Sequence, residues 1–295
     1  MIDKNTSITA ATFEVMRQET LDEYRQVISY RSDLLFTEFL PQGYKMMTLS
    51  CVPDQHFHQA LFLKCNLGMF ITLLDDFADN PGLRNKELLN KLYRVPFDDE
   101  LIEFDHCTAE ERKICDLALT LRSNMKQAIQ GLPGFRDFYD IFKFDFEQVM
   151  IANQYSELMT DYPEIINPSE YIQYGAYNMG MVLAGMIDLM TCESLSDPLG
   201  VLRQAFIAGQ RHGRLSNLVT TIQRERSEGD RTNEIIGLSQ YFGTTIESEL
   251  QRAEEEMSEI VRQLESIVTT QFVMDRYVQG LQDLHKLHHS LIGNI

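Results

Sequence analysis

Apolar positions recur at three- and four-residue intervals along most of the chain, and no stretch alternates apolar and polar residues with the period of two that a half-buried strand needs. The spacing predicts helices over 8–29, 56–79, 85–94, 109–130, 134–160, 168–192, 198–228, 243–269 and 271–290. Between them stand helix breakers: Pro41, Pro53, Pro81–Gly82, Pro96, the glycines at 131 and 134, Pro163, Pro168, Pro198 and Gly229. The late helices, such as Glu247 to Ser266, carry acidic outer faces. Long helices joined by short polar loops imply an all-α fold, a single-domain helical bundle over 1–295. No linker, internal repeat or low-complexity tract divides the chain, and one helical domain can reach this size.

At 44% hydrophobic and 24% charged residues the composition is ordinary for a globular chain, so charge changes the picture more. The formal net charge is −18. An acidic surface repels phosphate backbones, so no nucleic acid partner is expected. A diphosphate substrate would be repelled in the same way unless divalent cations came with it. The polar start MIDKNTSITA has no apolar segment of a secretory signal. The longest apolar stretch, Met179 to Met190, carries Asp188 and is too short for a bilayer, so no membrane span is expected. Five scattered cysteines without a C-x-x-C pattern read as reduced core thiols, which suits a cytoplasmic protein. Monomer and homodimer both stay open.

Two motifs carry chemistry. The first is Leu73-Leu74-Asp75-Asp76-Phe77-Ala78-Asp79, closing an apolar helix. Asp75 and Asp79, four apart, share a helix face, and Asp76 lies about 100° round the same rim. Carboxylates this close repel, and no Lys or Arg holds a neighbouring helical position. Mg²⁺, which favours a few carboxylates, waters and phosphate oxygens, relieves that repulsion. The plain alternative is a solvated acidic helix end. The second motif is Asn217-Leu-Val-Thr-Thr221-Ile-Gln-Arg224-Glu225. Asn217, Thr221 and Glu225 form one stripe about 12 Å long, able to hold a second hard metal site, with Arg224 in reach of a phosphate. Its plain alternative is a polar outer face. Either motif turns up by chance in about one such chain in ten, both in order in about one in a hundred.

The pair resembles the aspartate-rich and Asn/Ser(Thr)/Glu metal motifs of the class I terpene synthases. Gly229 and Asn233 resemble the tail of the second motif in that family. The segment Glu170-Tyr171-Ile-Gln-Tyr-Gly175-Ala-Tyr177-Asn178-Met179-Gly180-Met181 resembles the place where those enzymes break a helix beside the substrate. The resemblance implies the terpene synthase fold and three Mg²⁺ ions. It further implies catalytic and metal roles for Asp75, Asp76 and Asp79, metal ligation by Asn217, Thr221 and Glu225, and a diphosphate contact from Arg224. Tyr171, Gly175, Tyr177, Asn178, Met179 and Gly180 would line the pocket. Two departures stand out. Gly175 occupies the position where the family carries a diphosphate-sensing Arg, and the last residues, Ser290 to Ile295, lack the family's terminal Arg-Tyr pair. Arg211 and Arg214, on the helix of the second motif, are candidate substitutes for the sensor, or simply surface arginines.

Glycine adds a further signal. Gly209 and Gly213 continue the Asn217 stripe at i−8 and i−4, and Gly68 lies eight before Asp76. Each interior helical glycine costs about 1 kcal/mol against Ala. Either space is kept for a prenyl chain, making Gly68 and Gly213 pocket residues, or the helices pack closely. Tyr171, Tyr174 and Tyr177 flank the break, where aromatic faces can stabilise a cation. His285, His288 and His289 cluster on the last helix as rim residues, and Asp98-Asp99-Glu100 reads as a solvated loop. The expected activity is Mg²⁺-dependent ionisation and cyclisation of a C15 or C20 isoprenyl diphosphate to a terpene hydrocarbon or alcohol. The rivals are transfer of the prenyl chain to another acceptor and an inert helical partner protein. Chain elongation would want a second D-D-x-x-D, which the sequence lacks.

Overall fold

The computed structural model describes residues 9–28, 32–79, 85–97, 104, 107–228 and 232–292. Among them there is no strand. Helix α1 (Ala10–Val27) is followed by a π-helical turn, Leu35–Phe39, that runs into α2 (Leu40–Met46). Then come α3 (Asp54–Asp79), α4 (Lys86–Arg94), α5 (Ala109–Gln130) and α6 (Phe135–Asp161). The short α7 (Pro168–Glu170) passes into a π-turn, Tyr171–Gly175, and a 3₁₀ turn, Tyr177–Met179, before α8 (Met181–Met190). The chain closes with α9 (Leu199–Glu228), α10 (Glu234–Phe242), α11 (Ile246–Glu265) and α12 (Met274–Ser290).

Local chemistry sets most of these boundaries. Thr108 and Glu111 form a reciprocal capping box that starts α5, and Asn85 and Thr245 cap α4 and α11 through their side chains. The helix predicted over 168–192 is divided into four short elements, with the break in the segment where the resemblance expected one. Two helices escape the sequence pattern. Pro41 reads as a stop, yet it stands in the first turn of α2, where a missing N–H costs nothing. Helix α10 is only nine residues long, started by the Asn233 cap and ended by Gly243 in the left-handed region at φ 68°.

Helix α3 is the central element. Leu63, Leu67, Phe70, Leu73, Leu74 and Phe77 along it are all 0% exposed. It is long and apolar enough to cross a bilayer by length and composition, but it is sheathed by α1, α5, α6 and α8 and mostly buried within the fold. Every residue of α8 is buried. That helix packs on α3, α6 and α9, whereas α3 and α9 share no extensive packing with each other. Helices α10, α11 and α12 close the outer side of α9. All five cysteines are free thiols, as expected.

One ion pair ties the core. Lys64 on α3 and Asp188 on α8, 0% and 1% exposed, meet at 2.5 Å. Asp188 also accepts the Leu49 N–H at 3.0 Å, and Lys64 donates to Thr48 Oγ1 at 3.2 Å. Burial pushes the Asp188 carboxyl up from its ordinary value, against the pull of Lys64. Removing one partner leaves a buried charge alone. Lys64→Met is therefore expected to lower unfolding free energy by about 3–5 kcal/mol, and adding Asp188→Leu to recover most of it, as read by urea denaturation.

Candidate active site

The two motifs are joined through the helix break. Gly180 sits at φ 63°, and a Cβ there would lie 2.8 Å from Ile71 Cδ1, so α3 approaches the break closely. On the other side the Met181 sulfur fills the surface of Gly213, where a Cβ would sit 2.2 Å away. Ile71 is one turn before Asp75 on α3, and Gly213 is one turn before Asn217 on α9. The break therefore wedges between the two helices one turn beneath both motifs, on the faces that carry them. Gln210 of α9 secures it by accepting the Val182 N–H at 3.1 Å, capping a first-turn donor of α8.

The individual side chains divide sharply. Asp75 is half-buried at the rim. Asp76 is 2% exposed and turned inward, accepting the Tyr24 hydroxyl at 2.8 Å. Asp79 ends α3, and its side chain lies outside the described residues, as do Gly229 and the run 98–100. On α9 the Thr221 hydroxyl donates to the Asn217 carbonyl at 2.9 Å, which turns its lone pairs outward. Asn217 itself is half-buried. Glu225 is held from two sides: Arg224 lies 3.4 Å from Oε1, and Asn233 donates to Oε2 while capping α10. The donors available on both walls are hard oxygens, the set Mg²⁺ prefers. Among the described residues, no three His, Cys, Asp or Glu side chains gather as a metal cluster by themselves.

Several expected pocket residues have other duties. Tyr171 is 0% exposed and packs with Tyr155, Met159 and Leu238, its hydroxyl against Gly237. It faces α10, not a substrate space. Gly68 faces Tyr44 and Leu40, and Gly209 faces the Tyr277 ring. The glycine stripe, Gly213 included, is thus filled by protein, which favours the close-packing reading over the pocket reading. Gly175 is different: a Cβ there would meet nothing nearer than Glu234 at 3.8 Å. Tyr177, Asn178 and Met179 are half-buried in the break, and the Asn178 Oδ1 is buried with no hydrogen-bond partner.

Arg211 is not a free sensor. It binds Glu234 through two nitrogens at 2.8 and 2.7 Å and Glu256 at 2.7 and 3.0 Å, bolting α9 to α10 and α11. Arg214 differs in that its Nε is buried with no hydrogen-bond partner. It lies seven residues before Thr221, two turns lower on nearly the same line. Sequence reasoning missed Tyr24 and Gln210, which hold Asp76 and the break from distant points in the chain and carry no local signature.

Of the three histidines expected at the rim, His289 is exposed, His285 is half-buried with Nδ1 2.8 Å from Ser216 Oγ, and only His288 is buried, its ring tilted against Phe39 at 4.7 Å. Burial first, then neighbouring histidine charge, pushes His212 and His288 from 6.5 down to about 4.

No family model and no curated protein matches the chain. Solved structures do. Isoprene synthase from grey poplar leaves superposes with TM-score 0.67 at 12% identity over 96% of this chain. Germacradien-4-ol synthase from Streptomyces citricolor does so with TM-score 0.60 at 14% identity, covering 98% of each chain. The fold is that of the class I terpene synthases. Linalool/nerolidol synthase from Streptomyces clavuligerus agrees, with TM-score 0.60 at 12% identity over 97% of this chain and 96% of its own. The chain spans about half, 54%, of the poplar enzyme and nearly all of both bacterial ones. At such identities the terpene synthase likeness is one of fold, and residue roles rest on the geometry above.

Two outcomes follow. In the folded chain His212 and His288 stay neutral down to about 4, whereas the unfolded chain protonates them below 6.5. Stability is therefore fully present above 6.5 and falls as pH drops towards 4. The His212→Asn/His288→Asn double variant should flatten that fall in denaturation curves taken between those values. Gly213→Ala should lower stability by about 1–3 kcal/mol through overpacking on Met181, despite the better helix propensity of Ala. A raised melting temperature would instead indicate open space there.

Proposed function

We propose that the chain ionises a linear isoprenyl diphosphate, C15 or C20, and cyclises the resulting cation to a terpene hydrocarbon or alcohol. The observation that carries this reading is the Gly180–Met181 wedge one turn beneath Asp75 and Asn217. By helical spacing this supports a reading in which the oxygen-bearing faces of α3 and α9 stand one turn above it on either side. In support, the poplar enzyme's structure holds three Mg²⁺ ions and dimethylallyl-S-thiolodiphosphate.

Asp75, with Asp79, would hold metal on one wall, and Asn217, Thr221 and Glu225 on the other. Asp76 acts as a positioning residue from behind, with Tyr24. Mg²⁺ bound there supplies positive charge that draws electrons from the diphosphate, which an acidic protein of net charge −18 cannot do alone. Arg224 and Arg214 contact the diphosphate oxygens from α9. The substrate's C–O bond breaks, both electrons leave with diphosphate, and an allylic cation remains. Tyr177, Asn178 and Met179 line the space beside the break, where an aromatic face stabilises the cation without attacking it. The cation ends by losing a proton or by taking a water oxygen with loss of that water's proton. The five free thiols suit a cytoplasmic setting.

The test is incubation of purified protein with C10, C15 and C20 diphosphates, with and without Mg²⁺ and isopentenyl diphosphate. Volatile hydrocarbons or alcohols that need Mg²⁺ are expected, and longer diphosphates or no product would overturn the reading. Asp75→Ala and Asn217→Ala should each cut turnover by about 100-fold or more. Both are half-buried polar sites, so neither melting curve should move by more than about 0.5 kcal/mol equivalent.

A further inference from the structure

Helix α6 packs on α3, α8 and the helix break, and Phe142, Phe146, Val149, Met150 and Asn153 along it are buried. Its other face is apolar as well. Phe144, Ile151 and Leu158 stand seven residues apart, and Tyr162 follows just past the end of the helix. All four are between 40 and 55% exposed. A spacing of seven keeps side chains on nearly one line, the arrangement of a helix–helix seam. A single exposed apolar side chain is ordinary, but a row about 21 Å long from Phe144 to Leu158 marks a contact surface.

The row is complementary to itself. Ile151 lies midway between Phe144 and Leu158, so a second copy laid antiparallel about a two-fold axis at Ile151 sets Phe144 against the partner's Leu158 at both ends. Glu147 and Gln154 lie about 40° and 60° to one side of Ile151, four residues before it and three after it. The two-fold puts Glu147 of one copy on the same side as the partner's Gln154 and about 1.5 Å from it in height, a carboxylate beside an amide donor. Asp140 comes level with the partner's Tyr162, a carboxylate beside a hydroxyl. Asp140 and Glu147 are exposed and Gln154 is half-buried. Those acidic flanks, in a chain of net charge −18, repel an anionic lipid surface.

We propose that this face of α6 is the interface of a two-fold symmetric homodimer, with α6 antiparallel to its copy and Ile151 on the axis. A second copy is the occupant because the row and its polar flanks match their own inverted order. The contact centres on one pair of helices, which places it in the small, reversible class of interfaces, below about 1,200 Å² in total and with a micromolar dissociation constant. The inference does not depend on the reading of the mouth.

Sedimentation velocity on the full chain is expected to show mainly dimer at about 100 µM and mainly monomer at about 1 µM. Ile151→Asp, at an exposed position, should leave the melting curve in place and weaken association at least about tenfold. The register has a sharper test. Phe144→Lys and Leu158→Glu should each be monomeric alone, because in each homodimer a charge faces an apolar side chain twice. Mixed, the two should associate, since the mixed pair has one Lys–Glu contact and keeps one Phe–Leu contact. A wild-type chain that stays monomeric at about 100 µM, a dimer indifferent to Ile151→Asp, or a mixture of the two charged variants that stays monomeric would each overturn the proposal.

Discussion

The break at Gly180 is the constraint on which the rest of the architecture depends. On the observed backbone a Cβ at position 180 would lie 2.8 Å from Ile71 Cδ1. The left-handed φ of 63° at Gly180 redirects the chain so that Met181 meets Gly213 and the Val182 N–H meets Gln210. Both contacts fix the height of the break on α9, and the close approach of Gly180 to Ile71 fixes it on α3. Because Asp75 and Asn217 lie one turn above the two contact points, the backbone bend sets the level of both motifs. A residue with a side chain at 180 would meet both a strained backbone and a steric conflict, so the site's geometry is tied to one glycine.

A second layer of control is electrostatic. The chain places many carboxylates near one end of the bundle, and packing alone would leave them repelling each other. The structure separates them by partner. Asp76 is taken inward by Tyr24, Glu225 is steadied by Asn233 and Arg224, and Glu234 is clamped with Glu256 by Arg211. Each of these acids has its charge answered by a protein group. Orientation follows from this sorting, since a carboxylate with two protein donors has little freedom to turn. The Arg211 clamp also passes behind Gly175, through Glu234, so a cation is present near that opening but already committed to two acids.

Much of this was legible in the sequence, and the misses have physical causes. The long helices α3, α5, α6 and α9 emerge from apolar periodicity because each buries a wide face over many turns. The two oxygen-bearing motifs are visible because helical spacing of four stacks them on one face. Helix α10 is hidden because nine residues give little periodicity and its stability comes from its cap and its neighbours. Helix α2 is hidden because the role of Pro41 depends on which turn it occupies. The glycine stripe was ambiguous for a different reason: a missing side chain looks the same whether substrate or protein fills the gap. Only the positions of Met181, Tyr277 and Tyr44 separate the two. Tyr24 and Asp76 are 52 residues apart, and no local pattern links them.

Helix α3 also shows how burial separates chemistries along one element. Its C-terminal end carries Asp75 and Asp76, whereas Leu63, Leu67, Phe70, Leu73, Leu74 and Phe77 along it are fully buried. The acidic end is thus backed by an apolar row that offers the carboxylates no polar partner along the same helix, so their charge has to be answered from other elements, as Tyr24 of α1 does for Asp76. On the proposed reading an anion at that end would need divalent metal to offset the carboxylates, which would tie its binding to the metal.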